Sequence, residues 1–455
     1  VNPRQMTPRA RFIEGPIRTH MVRMCTTTAL SLMALFAVDI LTLAYVAQLH
    51  NPVALAAVGI GKTLIFINSS LVSGLVVACG ALMSARVGRH RAASHARLAT
   101  HMLIMTAVLS TGIAVIELAV ARPAALWLGT DPTVLQAGRL FIGLAVPATV
   151  FNSVMQLCAQ LLRAHGHSRL GMGVVLTGAL VLAIADPVLI FGFGLGLDGA
   201  AMTYGLAAVV ACAAGLYGVA TRIGLSFSVR PRLLMLHTRR VVSLGLPAML
   251  GNLATPLSII YLLMTLATFG APALAAMAVI DRLLQFSYCL YFALPNALSP
   301  VLAQNLAAGK DERAALAIAF TRRLVILYGS AVWAGLAVAA PLLNHLFDLP
   351  LGAQQLLNAF CRAGAGLWIG VGLDFIALSM FLTMGRPWWV AAFAWLRGTL
   401  GTLPFVYLGS QYYGSRGGLL GMWVGNALAA TLAIATAHFM AKAFFARRAL
   451  SASSP

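Results

Sequence analysis

The chain has 455 residues, 60 % of them hydrophobic and only 9 % charged, and carries a formal net charge of +20. A soluble domain has roughly 25 % charged residues, so this composition excludes a soluble globular protein and indicates an integral membrane protein. The positive charge does not point to nucleic acid, because the bases stand in short loops between apolar runs rather than along one basic face.

Residues 1–23 are polar and basic, and the apolar run after them is longer than a signal-peptide core, so it is expected to be kept as the first span. That run reaches from Met24 to His50, and its only charged side chain is Asp39. It is long enough to cross a bilayer as a helix. A carboxylate at that depth costs about 2.5–3.5 kcal/mol on insertion scales and is tolerated only where it faces a cavity or a partner. Asp39 is therefore a candidate proton- or cation-binding group. The alternative is a protonated acid that hydrogen-bonds a neighbouring helix for packing.

Twelve spans follow in chain order, at 24–49, 54–84, 98–121, 134–162, 170–193, 199–221, 241–268, 272–304, 324–346, 353–384, 388–412 and 418–441. The loops between them alternate in charge. One set, with both termini, holds 24 of the 31 bases, among them Arg86, Arg163, the 222–240 group, Arg323 and Arg386. The opposite loops hold Arg122 and Arg416. The excess of Arg and Lys on one side predicts both termini in the cytoplasm. The six cysteines lie in or beside apolar runs and form no CxxC, so neither a disulfide framework nor a zinc site is expected.

The chain also repeats itself. Leu55–Leu64 (LAAVGIGKTL) is echoed by Leu274–Leu283 (LAAMAVIDRL), an offset of 219 residues. Arg139, Gly143 and Leu144 are echoed by Arg362, Gly366 and Leu367, and Arg163 by Arg386, an offset of 223. This predicts an all-α membrane protein of twelve transmembrane helices in two pseudo-symmetric six-helix lobes. The expected divisions are a cytoplasmic segment 1–23, an N-lobe 24–221, an inter-lobe loop 222–240, a C-lobe 241–441 and a cytoplasmic tail 442–455.

Asp186 opens the stretch DPVLIFGFGLG in the fifth span, a second acid in apolar surroundings. Pro187 interrupts the helical hydrogen bonding there, so Asp186 either caps a broken helix or pairs with Asp39 around one proton or small cation. Asn152, Gln156 and Gln160 fall on one face of the fourth span. They serve either a substrate cavity or interhelical packing. Lys62 and Asp281 are equivalent under the 219 offset and are candidate gate partners, unless Lys62 snorkels to the headgroups. His101, His345 and His438 make no metal-ligand spacing, and no GxxxxGK[ST] motif is present, so neither a metal nor ATP is expected. No nucleophile–base pair suggests an enzyme.

Asp39, the Asp186–Ala201 stretch (DPVLIFGFGLGLDGAA) and Leu298–Arg313 (LSPVLAQNLAAGKDER) together resemble the multidrug and toxic compound extrusion (MATE) transporters. The likeness runs over nearly the whole chain and is nearest to the DinF-like branch, whose coupling acids lie in the N-lobe. It implies a V-shaped pair of lobes and a secondary antiporter, with Asp39 and Asp186 at the coupling positions. It also places Thr203 and Tyr204 near a cavity position and Asp374 near the second acid of another branch, one residue out of register.

The chain departs from the family in having no proline in the first span, Leu182 where Asn is common, and Thr255 where the other branch has Glu. Losing those oxygens favours protons over sodium as the coupling ion. The expected function is export of an amphipathic, cationic compound against protons, with a zwitterionic or acidic cargo left open. The alternatives are a lipid-linked precursor or metabolite flippase of the same superfamily and a non-transporting membrane scaffold. No cofactor, no nucleic acid and no partner beyond small substrates and lipid are expected of a monomer. The Arg-rich, Lys-poor usage suggests a bacterial inner membrane.

Overall fold

The computed structural model describes residues 10–89, 94–127, 132–226, 228 and 230–453. Arg4, Arg9 and Arg91 of the basic loops lie outside the described residues. Among the described residues there is no strand. The helices are α1 (Ile17–Ala47), α2 (Pro52–Gly88), α3 (His95–Trp127), α4 (Pro132–Ala137), α5 (Arg139–Ala164), α6 (Ser168–Pro187), α7 (Gly196–Arg222) and α8 (Pro231–Ala267). They continue with α9 (Ala271–Ser287), α10 (Cys289–Ala307), α11 (Asp311–Leu346), α12 (Leu351–Ala359), α13 (Ala365–Thr383), α14 (Trp388–Gly398) and α15 (Leu403–Ser453).

Local chemistry explains where these helices start and break. Asn51 caps α2 by accepting from the amides of Val53 and Ala54 at 3.0 and 3.1 Å, and Pro52 follows at the first helical position. After Pro187, α6 runs on as one wide turn over Val188–Gly192. The chain then reverses through Gly194 and Gly196, which have φ of 64° and 54°. A second wide turn, Phe360–Gly364, joins α12 to α13. The pair α9–α10 bends by 42°.

Among the described residues, ten helical stretches are long and apolar enough to span a membrane, or eleven if the bent pair counts as one span. The last of them, Trp388–Leu450, has 63 residues. At about 1.5 Å per residue it is far longer than a hydrocarbon layer of roughly 30 Å. Non-helical dihedrals at Tyr413 and Gly414 divide it, and the two parts supply the eleventh and twelfth spans of the sequence reading.

Several ends differ from the apolar runs. The basic stretch read as the loop 222–240 is helical from Pro231 onward, and residues 442–453, read as a tail, continue α15. A helix does not stop where its hydrocarbon-compatible stretch ends; Arg and Lys have good helix propensity and carry it on into water.

The chain forms two compact units. The first takes residues up to Glu14 and Leu30–Leu246, and the second takes Gly15–Ala29 and Pro247–Pro455, so the division falls inside α1 and α8. Within the first unit α5 is the central helix and packs on α2, α3, α6 and α7. Gly171 lets α6 approach the carbonyl of Ala159, and Gly215 lets α7 approach Cys158. Within the second unit α13 is central and packs on α10, α11 and α15. There Tyr291 lies against Gly329 and Gly372 and donates to the carbonyl of Val325 at 2.8 Å. α5 and the Phe360–Thr383 segment are the stretches that the 223-residue repeat relates.

Candidate ion-coupling site

In the first unit, polar side chains of α1, α2, α6 and α7 come together above an apolar floor. Val46 of α1, Val58 of α2, Phe141 and Ala145 of α5, and Ile190 and Ala200 beyond them form that floor. Asp39 and Thr42 lie one turn apart on α1. Thr42 donates a short hydrogen bond to Asp186 Oδ2, which ties α1 to the last turn of α6. Asp186 is 1 % exposed, and its other oxygen, Oδ1, is buried with no hydrogen-bond partner among the described residues.

Lys62 of α2 reaches Asp39. Its ammonium donates to Asp39 Oδ1 at 2.6 Å and to the Asp39 carbonyl at 3.4 Å. The side chains are 28 % exposed for Lys62 and 55 % for Asp39, so the pair is open where Asp186 is sealed. Both groups lie within electrostatic reach of Asp186, and the Thr203 hydroxyl of α7 stands near the same carboxyl. Thr203 is itself anchored to the Gly199 carbonyl at 2.9 Å. The Tyr204 hydroxyl is buried without a partner among the described residues and lies in the field of Asp39 and Glu117.

Of the residues singled out from the sequence, Asp39, Asp186, Lys62, Thr203 and Tyr204 thus come together, and the others do not join them. Lys62, read as a gate partner of Asp281 or as snorkelling to headgroups, is held by Asp39. Asp281 accepts from Gln285 of its own helix at 2.7 Å. Gln160, read as serving either a substrate cavity or interhelical packing, is fully buried against Gly80 where α5 packs on α2. Asn152 and Gln156 are half-buried. Asp374 is buried in the second unit in a short ion pair with Arg397, whose guanidinium also lies over the Phe375 ring at 5.8 Å.

The sequence reading passed over Glu117. This acid of α3 is 8 % exposed; it accepts from Asn68 Nδ2 of α2 at 3.1 Å, and its second oxygen is buried without a partner among the described residues. Asn68 is joined through Ser110 to Ser153, whose hydroxyl lies 2.9 Å from that of Ser110. The available signal was the same one that marks Asp39, a lone acid inside an apolar run. Among the described residues no group of three or more His, Cys, Asp or Glu is placed to hold a metal ion.

Comparison with known proteins agrees with this architecture. The family profile MatE matches residues 28–188 and 247–350, the second match starting 219 residues after the first. The chain is 24 % identical over 435 residues to the FAD transporter of Shewanella oneidensis, covering 93 % of this chain and 95 % of the relative. It is 21 % identical over 301 residues to the multidrug export protein MepA of Staphylococcus aureus, covering 65 % of each. Its fold superposes on a crystal structure of a mutant of the Vibrio cholerae MATE transporter VcmN with a TM-score of 0.90, at 22 % identity over 94 % of this chain and 98 % of that one. With the profile matched over more than half its length, the chain belongs to the MATE family, whose members are membrane transporters and not enzymes.

Proposed function

We propose that this protein is a secondary active exporter that exchanges an organic compound for protons by alternating access, with the junction of Asp186 and Asp39 as its coupling site. The observation that carries the reading is the sealed Asp186 carboxyl, bonded by Thr42 on one oxygen and unpartnered on the other, beside a second acid on α1. A carboxylate in such surroundings calls for a proton or a cation, and gaining or losing it changes the charge of the acid that joins α6 to α1. Two features support protons over sodium. The ammonium of Lys62 already occupies Asp39, and the position one turn before Asp186 is Leu182, which offers no side-chain oxygen.

The placement proposed is a bacterial inner membrane with both termini in the cytoplasm, the protein acting as a monomer without a cofactor. The cargo expected from the family resemblance is an amphipathic cation, and the likeness to a multidrug export protein supports it. A second reading, an anionic or zwitterionic metabolite, is favoured by Lys62 in the site and by the likeness to an FAD transporter.

The test uses the purified chain in liposomes with ethidium, and FAD as the anionic cargo, under a pH gradient or a sodium gradient imposed separately. A pH gradient is expected to drive transport of one of the two, and Asp186→Asn is expected to reduce it to the rate of empty liposomes. Transport by a sodium gradient alone overturns the proton reading. Undiminished proton-driven transport by Asp186→Asn overturns the site.

A further inference from the structure

The two acids of the site differ in one respect that bears on which of them exchanges a proton. Asp39 has a permanent counter-charge at 2.6 Å on the neighbouring helix, whereas Asp186 makes no ion pair among the described residues. Among the described residues, five helices bring ionisable groups to this junction. α1 brings Asp39 and, against the floor, the phenol of Tyr45, α2 brings Lys62, α3 brings Glu117 held by Asn68, α6 brings Asp186 and α7 brings the phenol of Tyr204. From α5 the floor receives Phe141 and Ala145, which are apolar. Lys62 is thus the one cation among the described groups at this junction.

We propose that Lys62 is a tethered cation filling the Asp39 half of the coupling site, so that Asp186 alone exchanges the proton and sodium is excluded. The inference rests on reading this junction as the ion-coupling site. An ammonium fixed to α2 by its four-carbon stem is always present at high effective concentration, whereas an ion from solution must compete for the same oxygen. A proton arriving at Asp39 has to displace the ammonium at 2.6 Å and leave it without its counter-charge. The ammonium also takes up the Asp39 carbonyl at 3.4 Å, a second oxygen that a bare cation would need. Asp186 is the opposite case. Its unpartnered oxygen accepts a proton without breaking any ion pair, and the Thr42 bond is retained on the other oxygen.

The consequence is a count. With Asp39 and Lys62 cancelling, the junction holds one exchangeable charge on Asp186, and one proton moves at this site per cycle. Removing Lys62 leaves two acids that share no counter-charge, which creates either a second proton site or a sodium site.

The experiment is infrared difference spectroscopy of the purified full chain, following the C=O stretch of protonated carboxyls between high and low pH. The Glu117 contribution is assigned with Glu117→Gln. Wild type is expected to show a titrating band that Asp186→Asn removes and that the charge-neutral double variant Asp39→Asn/Lys62→Met retains. Lys62→Met alone is expected to add a second band, which the further change Asp39→Asn abolishes, and Lys62→Arg to keep the wild-type pattern. In liposomes, a sodium gradient is expected to drive Lys62→Met about tenfold faster than wild type, a factor typical of coupled sites.

A wild-type carboxyl band that disappears in the double variant makes Asp39 the proton carrier and overturns the proposal. So does a Lys62→Met chain that shows no new band and no sodium response. If Lys62→Met does not purify as a folded chain, the double variant decides alone. Loss of coupling in Asp186→Asn belongs to the underlying site reading, so the two failures are distinguishable.

Discussion

His165 stands at the C-terminal end of α5, where the chain turns through Gly166 toward α6. Its ring is 5 % exposed and packs edge-on against His95 at 5.4 Å, with Nδ1 3.0 Å from the Leu161 carbonyl. Burial pushes its pKa down to about 4, with the charges of His95 and His167 acting in the same direction. In the unfolded chain the imidazole takes its proton near the usual value of about 6.5. Between those two values the unfolded state binds more protons, so this contribution to stability is complete above about pH 6.5 and lost as pH falls toward 4. At pH 5 the loss amounts to about 2 kcal/mol. Thermal unfolding of the purified protein is expected to occur at a lower temperature at pH 5 than at pH 7.5, and His165→Gln to narrow that difference. An unchanged pH dependence in the variant would rule His165 out as its source. Asp39 and Asp186 were legible at this scale because an acid inside an apolar run is conspicuous. The Asp39–Lys62 pair was not, because it depends on the register between α1 and α2, which hydropathy does not contain. Glu117 gave the same signal as Asp39 but stood outside both the repeat and the family stretches.

At the scale of elements, the seam within α15 shows what small residues do in a membrane bundle. The chain turns at Tyr413 and Gly414, the latter with φ of 61°, and the two parts then lie against each other. A Cβ added to Gly409, Gly417, Gly421 or Gly425 would overlap a backbone carbonyl across the seam, that of Phe405 in the case of Gly421. Backbones approach this closely only where side chains are missing, and the contact then supplies dispersion that lipid cannot replace. Gly421→Val is expected to cost roughly 1–3 kcal/mol through overpacking. Gly335→Ala, where a Cβ meets nothing within 4 Å, is expected to stay within about 0.5 kcal/mol of wild type. The comparison is read from thermal unfolding in detergent, and equal effects would refute the seam argument. The spans themselves were legible because hydrocarbon requires each backbone group to be bonded within its own helix, which leaves long apolar runs in the sequence. Helix ends in water carry no such constraint. That is why the ten residues from Pro231 and the stretch after residue 441 read as loop and tail although they are helical.

For the whole molecule, the unequal placement of bases predicts an orientation that the arrangement of thiols makes measurable. All six native cysteines are buried, so a membrane-impermeant maleimide has no native target in the folded chain. Arg386 lies exposed between α13 and α14 in the basic set of loops, and Thr268 lies exposed between α8 and α9 in the opposite set. The positive-inside rule acts on short loops of this kind, through Arg and Lys rather than through net charge. Arg386→Cys is therefore expected to label in inverted membrane vesicles and not in intact cells, and Thr268→Cys to label in intact cells. The helix count ties this result to the termini. With twelve crossings, the N-terminal segment and the end of α15 must share the side of Arg386, so one pair of reactions fixes both. Labelling of Arg386→Cys from outside would invert every loop at once.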